Sequence, residues 1–191
     1  MHKILVVLGG LLLATATHAD WRVDAESSRV SFIATKNVHQ TDVGRFFGLL
    51  GEVGPDGDVL LRVELDSLRT GVLLQDQRLR KELFDSARFA FAEVRARLDL
   101  QPILKLAPGA QMELTLPASL DLHGVEKPFR CDLLITRLDA HRFQIVTLSP
   151  VVLDAADFGL AEPLAGLRQS AGLKSVSLAV PVSAVLIFSE R

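Results

Sequence analysis

Side chains that could bind or react with a ligand are few in this sequence of 191 residues, and they are scattered. Lys36, Asn37 and His39 form one polar group, and Arg78 and Arg80 lie together in a later charged segment. Cationic and amide side chains bind phosphate or carbonyl oxygens when they converge at one site. We therefore take Lys36, Asn37 and Arg78 as candidate headgroup contacts, with ordinary surface pairing as the alternative.

The sequence offers no positive sign of catalysis, of a metal site or of a cofactor. His39, His123 and His141 are far apart, and neither a second cysteine nor an H-x-x-x-H spacing accompanies them. A G-x-S-x-G elbow is also missing. His123 in "LHGVEKP" is typical of a turn residue, with ligand contact as the alternative. We expect a binding protein without catalytic residues.

Cys131 is the single cysteine, so the fold must be held together by its apolar core. In "PFRCDLLIT" it shares one face of an alternating pattern with Phe129 and Leu133. This pattern predicts a buried small hydrophobe, because a reactive thiol needs a cationic or histidine neighbour, and only Arg130 is near in sequence.

Residues 1–19 have the pattern of a cleaved secretory signal. Lys3 precedes an apolar run over residues 4–14, and small residues follow at 17–19. An uncleaved anchor is the alternative. Cleavage would remove Lys3 and leave 20 Lys and Arg against 23 Asp and Glu, a formal charge of −3. We expect a periplasmic domain over residues 20–191 that does not bind nucleic acid, because basic residues are not in excess.

Most of the remaining sequence alternates between apolar and polar residues with the period of a β-strand. Two stripes are long, running from Met112 to Leu122 and from Val176 to Phe188. Such strands favour a barrel over a small open sheet. The sequence therefore predicts an all-β, antiparallel barrel.

One charged segment interrupts the alternation between Val72 and Phe84. Leu79 and Leu83 follow Val72 at helical spacing, while Asp76 and Arg80 are expected to stay in water. We predict a short helix that covers one end of the barrel.

A barrel of about eight strands is either filled by its own side chains or holds one elongated ligand. Many of the inward-facing positions carry Ala, Val or Leu rather than large aromatic residues, which leaves room for an apolar ligand. The candidate cavity-lining residues are Phe32, Phe46, Phe47, Leu79, Phe84, Phe89, Leu120 and Leu122.

Five blocks of sequence also carry a resemblance to a known family. In chain order they are "SSRVSFIATKN", "VGRFFGLLGEV", "VELDSLRTG" with "QDQRLRKELFDSARFAFAEV", "ASLDLHGVEKPFRCDLLI" and "ADFGL". Their order and spacing resemble the YceI-like family over nearly the whole predicted mature chain. "TKN" at 35–37 and "TG" at 70–71 resemble a divergent branch of it. The matching positions are Gly44 to Phe47 and Gly51, Asp76, Arg78, Leu79, Phe84 and Phe89, Leu122 to Val125, Lys127 and Pro128, and Asp157 to Leu160.

This resemblance implies an eight-stranded, lipocalin-like barrel with a helix closing one end, usually exported and without established enzymatic activity. Its members bind polyisoprenoids or other long-chain amphiphiles inside the barrel. Two functions follow for this chain. It is a carrier of a polyisoprenoid, an isoprenoid quinone or a fatty chain, or it is a module with a filled core that binds a membrane or redox protein. Transient contact with a membrane or a membrane protein, and the oligomeric state, stay open.

Overall fold

A computed structural model describes residues 20–191 of the chain. The predicted signal segment, residues 1–19, lies outside the described residues. Within residues 20–191, none of the helices has the length and apolar character needed to cross a bilayer.

The described residues form twelve strand segments and three short α-helices. The helices are α1 (Leu73–Arg78), α2 (Leu100–Leu104) and α3 (Ala161–Ser170), and α1 continues into a π-helical turn, Leu79–Leu83. The strands are β1 (Trp21–Val23), β2 (Arg29–Lys36), β3 (Gln40–Phe46), β4 (Leu49–Val53), β5 (Asp58–Glu64), β6 (Leu68–Arg69), β7 (Phe91–Arg97), β8 (Gln111–Leu122), β9 (Val125–Arg137), β10 (Arg142–Thr147), β11 (Val151–Asp154) and β12 (Ala179–Glu190).

These segments merge into eight antiparallel barrel strands. Segments β1 and β2 both pair with the long strand β12, and β10 and β11 pair with its other edge. In the next strand, β4 pairs with β1 and β3 pairs with β2. In the strand after that, β5 pairs with β4 and β6 pairs with β3. Four interrupted strands and the continuous strands β7, β8, β9 and β12 thus close a barrel. The predicted eight-stranded, lipocalin-like architecture is confirmed.

The β8–β9 hairpin ends in a two-residue turn. His123 and Gly124 take positive φ values of 56° and 78°, as a tight hairpin turn requires. The ring of Phe89 lies on His123, with 4.2 Å between ring centroids. His123 is therefore a turn residue, as the sequence predicts.

One end of the barrel, which we call the base, is closed by packed side chains. Trp21 meets Phe143 edge to face at 4.8 Å between centroids, and Ile103 of α2 is buried in the same apolar core. Arg137 donates hydrogen bonds to the carbonyl oxygens of Leu104 and Leu106, at 2.7 and 2.9 Å, and so holds α2 in place.

Helices α1 and α3 cover the opposite end, where the π-helical turn contacts α3. The predicted helix after Val72 is present, but the prediction that Asp76 stays in water is wrong. Asp76 is only 2% exposed, because its carboxylate accepts two hydrogen bonds from Thr70. Helix α3 was not predicted from the sequence.

Candidate functional site

The interior of the barrel holds one large cavity of about 600 Å³. That volume lies within the range of small-molecule and cofactor sites. Most of its lining is apolar and comes from the inward faces of the strands. Four charged side chains line it, all on the β2–β3 hairpin, α1 or α3. They are Lys36, Asp42, Arg78 and Arg168.

The barrel is hollow because many of its inward positions carry small side chains. Ala96 of β7 lies directly opposite Ala118 of β8, and both line the cavity. Ala34, Ala92 and Ala184 add small side chains from three other parts of the wall. Protein interiors are normally close-packed. These five alanines leave a space that the neighbouring core side chains do not fill.

The structure brings six of the eight predicted lining residues to the cavity. Three of them form an aromatic group near α1: Phe46 lies 5.5 Å from Phe32 and 6.3 Å from Phe84, between ring centroids. The six that line the cavity are Phe32, Phe46, Leu79, Phe84, Leu120 and Leu122.

Phe47 and Phe89 lie outside the cavity, contrary to the prediction. Phe47 follows the inward-facing Phe46, so the alternation of the strand turns it outward, and its side chain is exposed. Phe89 packs on the His123 ring, and the Arg88 guanidinium lies over the Phe89 ring, 4.9 Å from its centroid. Its ring supports the β8–β9 turn instead of the ligand space.

Of the predicted headgroup candidates, Lys36 and Arg78 line the cavity, and Asn37 does not. The backbone N–H of Asn37 donates to the Ser175 carbonyl at 2.9 Å. Its side-chain oxygen accepts from the Lys174 N–H at 2.8 Å. Asn37 thus fixes the β2–β3 hairpin to the loop after α3.

Arg168 also lines the cavity, and it was not among the predicted residues because α3 was not predicted. The signal was present: Leu160, Leu164 and Leu167 recur at helical spacing, and all three pack into the core or line the cavity. Arg168 directly follows this apolar face. Its guanidinium donates to the Lys174 carbonyl at 3.3 Å.

Asp42 links the hairpin to α1 at the charged end of the cavity. Its carboxylate lies 2.5 Å from the Lys36 ammonium and accepts a hydrogen bond from Gln75 at 3.4 Å. The hydrogen bond from Lys36 lowers the pKa of Asp42, with a smaller contribution from Gln75, although partial burial opposes this. Lys36 therefore has a protein partner already.

Asp76 fastens α1 to the segment at and just after β6. Its Oδ1 accepts from the Thr70 backbone N–H at 2.7 Å and from the Thr70 hydroxyl at 2.6 Å. Arg80 lies 4.0 Å from the other carboxylate oxygen and donates to the Leu68 carbonyl at 3.0 Å. These contacts fasten the helix to β6, so that Arg78 and Leu79 face the cavity.

Cys131, predicted as a buried small hydrophobe, is half-buried and forms part of the cavity wall. Its Sγ lies 3.6 Å from the Leu116 carbonyl oxygen. Burial raises the pKa of the thiol, and the nearby Asp132 charge raises it further. Both effects disfavour the reactive thiolate.

The part of the chain that the structure describes contains no cluster of metal-binding side chains. Within residues 20–191, no three His, Cys, Asp or Glu side chains lie close enough to hold a metal ion. What the site offers is a long apolar space with charged side chains at one end.

Comparison with known proteins places this barrel in a family. The profile of the YceI-like domain matches residues 21–188. The chain belongs to the YceI-like family. A solved structure that it resembles closely is a polyisoprenoid binding domain from Saccharophagus degradans implicated in plant cell wall breakdown. The two are 33% identical with a TM-score of 0.87, over 90% of this chain and 98% of the other.

BcnA from Burkholderia cenocepacia shares the fold of this YceI-like chain at lower similarity. The identity is 14% and the TM-score 0.65, over 86% of this chain and 98% of BcnA. A comparison with curated proteins finds no significant match.

Proposed function

We propose that this protein is an exported, non-catalytic binding protein that holds the chain of a long-chain amphiphile inside the barrel. The ligand class is a polyisoprenoid, an isoprenoid quinone or a fatty chain. One observation carries the proposal: the apolar cavity of about 600 Å³ has its charged lining residues at one end. This arrangement matches a molecule with a long apolar tail and one polar head.

Burial of the tail supplies the binding free energy in this proposal. Each methylene removed from water contributes about 0.8 kcal/mol, so a long chain needs few polar contacts to bind tightly. Strand walls of Leu, Val, Ala and Phe discriminate poorly among such chains. We therefore expect selection by length and headgroup more than by the detailed structure of the tail.

Arg78 and Arg168 are the proposed headgroup contacts. Both line the cavity, from α1 and α3. Within residues 20–191, Arg78 makes neither a hydrogen bond nor an ion pair through its side chain, whereas Lys36 is bound to Asp42. A guanidinium binds phosphate or carbonyl oxygens in a planar, two-donor geometry. Arg78 is thus available to a ligand in a way that Lys36 is not.

The relative from Saccharophagus degradans supports the ligand class, because it is described as polyisoprenoid binding and is 33% identical over nearly its whole length. The N-terminal pattern supports export: we propose that residues 1–19 are removed and that residues 20–191 form the periplasmic domain. The alternative of a filled-core interaction module has less support, because the barrel interior is not filled.

The experiment is to purify the protein without detergent from cells expressing the full sequence and to identify extracted lipid by mass spectrometry. We expect a long-chain species at close to one per protein. Ala118→Phe, which places a ring across the cavity beside Ala96, should lower that occupancy at least about tenfold while the protein stays folded.

The matched control is Ala140→Phe, the same substitution at an exposed position in the turn before β10. It should retain wild-type occupancy. An empty wild-type extract, from protein that also fails to take up long-chain probes, would refute the proposal. So would equal occupancy of wild type and a folded Ala118→Phe variant.

A further inference from the structure

The charged end of the cavity is surrounded by three segments, which we call the rim. They are residues 36–42 at the β2–β3 hairpin, residues 72–78 around α1, and residues 168–177 from the end of α3 into the following loop. Each segment contributes cavity-lining residues, so the rim is continuous with the cavity.

Hydrogen bonds join the three segments into one surface. Gln75 of α1 donates to Asp42 of the hairpin at 3.4 Å. Asn37 at the hairpin tip accepts from the Lys174 N–H at 2.8 Å and donates to the Ser175 carbonyl at 2.9 Å. The rim is therefore a connected part of the fold, with the hairpin as its centre.

The rim exposes large apolar side chains that the fold does not use. Three consecutive residues, Val72, Leu73 and Leu74, are 55%, 71% and 59% exposed. Val72 and Leu74 also line the cavity, whereas Leu73 does not. A run of exposed apolar residues beside a cavity entrance is typical of a surface that meets another apolar phase.

Val38 adds a second, independent observation at the hairpin tip. Its side chain is 67% exposed, and its backbone has a φ of 72°. A β-branched residue is strained in this left-handed region, where Gly or Asn is common. The hairpin thus holds an apolar side chain in water at a position where glycine would relieve the strain, which points to a use for that side chain.

The charge of the rim is opposite in sign to that of the whole chain, whose formal net charge is −2. Its two acidic side chains are both held by the protein: Asp76 is buried against Thr70, and Asp42 pairs with Lys36. The cationic side chains of the rim are Lys36, Arg78, Arg168 and Lys174.

We propose that the rim docks on a lipid bilayer that carries anionic headgroups. This inference rests on the proposed function, because a long-chain amphiphile is nearly insoluble in water and must pass between a bilayer and the cavity. The exposed apolar residues enter the interfacial region of the bilayer, while the exposed Lys174 meets the headgroups and Arg78 and Arg168 add positive charge beside the entrance. Docking brings the cavity entrance against the phase that contains the ligand.

The test measures flotation of the purified protein with vesicles of phosphatidylcholine, with and without phosphatidylglycerol. We expect binding to the mixed vesicles that weakens as salt is raised. Leu73→Ser should weaken it about tenfold, since Leu73 is the most exposed of the three apolar residues. Lys174→Gln should weaken it about fivefold.

The matched control is Leu50→Ser, because Leu50 is 58% exposed but lies on β4, outside the rim. It should bind vesicles as wild type does. All variants should take up cyclodextrin-delivered long-chain lipid equally, because neither Leu73 nor Leu50 lines the cavity. Loss of flotation in Leu73→Ser with normal uptake would support the docking surface.

Three outcomes would overturn the docking proposal. In the first, wild-type protein takes up lipid but does not float with mixed vesicles, which leaves the cavity proposal intact. In the second, Leu73→Ser and Leu50→Ser bind vesicles equally. In the third, only vesicles reconstituted with membrane proteins bind, and protease treatment of those vesicles abolishes binding, which would identify a protein partner instead.

Discussion

The ring of Phe32 occupies the space that a side chain at Gly44 would need. The two residues lie directly opposite each other on β2 and β3. A Cβ atom added at Gly44 would lie 2.1 Å from Cζ of Phe32, far inside van der Waals contact. Gly44 thereby lets Phe32 lie flat against the wall, within reach of Phe46. A glycine in a strand here shapes the cavity through the close approach of an aromatic ring.

Gly44→Ala should therefore push the Phe32 ring into the cavity. We expect a loss of about 1–3 kcal/mol in the free energy of unfolding and a lower occupancy by long-chain ligand. Urea unfolding and ligand uptake measure the two effects. In the Phe32→Leu background the same substitution should cost clearly less, and a penalty that is equal in both backgrounds would contradict the contact.

Asp76→Ala should detach α1 from β6. It removes the acceptor for both the N–H and the hydroxyl of Thr70, and it leaves Arg80 without its nearby carboxylate. We expect a loss of about 2–4 kcal/mol in the free energy of unfolding, measured in urea. Asp76→Asn keeps an oxygen acceptor and should cost less. Equal losses in the two variants would show that the hydrogen bonds to Thr70 are not what holds the helix.

The stabilisation that Asp42 contributes to the rim should be lost in acid. Its pKa is lowered below the ordinary value of 3.8 in the folded protein, first by the hydrogen bond from Lys36. The stabilisation is therefore complete above about pH 5 and is lost as the pH falls through the lowered pKa. Asp42→Asn should remove this part of the pH dependence of the unfolding midpoint below about pH 5. An unchanged acid limb in Asp42→Asn would contradict the prediction.

Cys131 should report on cavity occupancy. Its raised pKa and its position in the cavity wall predict alkylation by iodoacetamide at least about tenfold slower than in urea-unfolded protein. Bound lipid should slow the reaction further, and mass spectrometry of the intact protein measures the rate. Equal rates for the folded and the unfolded protein would rule out the buried position.

Strand alternation made the barrel and its inward stripes predictable. Leu120 and Leu122 of β8 line the cavity as their spacing indicates, because alternate side chains of a strand point to opposite faces. The same rule places Phe47 outside, next to the inward Phe46. The prediction for Phe47 did not apply this alternation, which places only one of two adjacent residues on the inner face. Where a strand is interrupted, as between β1 and β2, a period of two carries no signal.

Polar residues were harder to predict than apolar ones. The spacing of Asp76 and Arg80 is the same in an exposed ion pair and in a buried one. What decides the burial is Thr70, whose donors need an acceptor at that point of the tertiary structure. To predict Arg168 as a lining residue, one would have had to recognise α3, a ten-residue helix near the end of a β-rich chain. The helical pattern of apolar residues in α3 was present in the sequence, but it was short.

The closed base of the barrel has a kinetic consequence. With α2 held by Arg137 and with Trp21 packed on Phe143, the proposed function implies that a tail entering past Arg78 would leave by the same route. Away from a bilayer, withdrawal would expose the tail to water one unit at a time, and each methylene would raise the barrier by about 0.8 kcal/mol. Residence time would therefore lengthen geometrically with chain length. The protein would sort lipids by how slowly they escape.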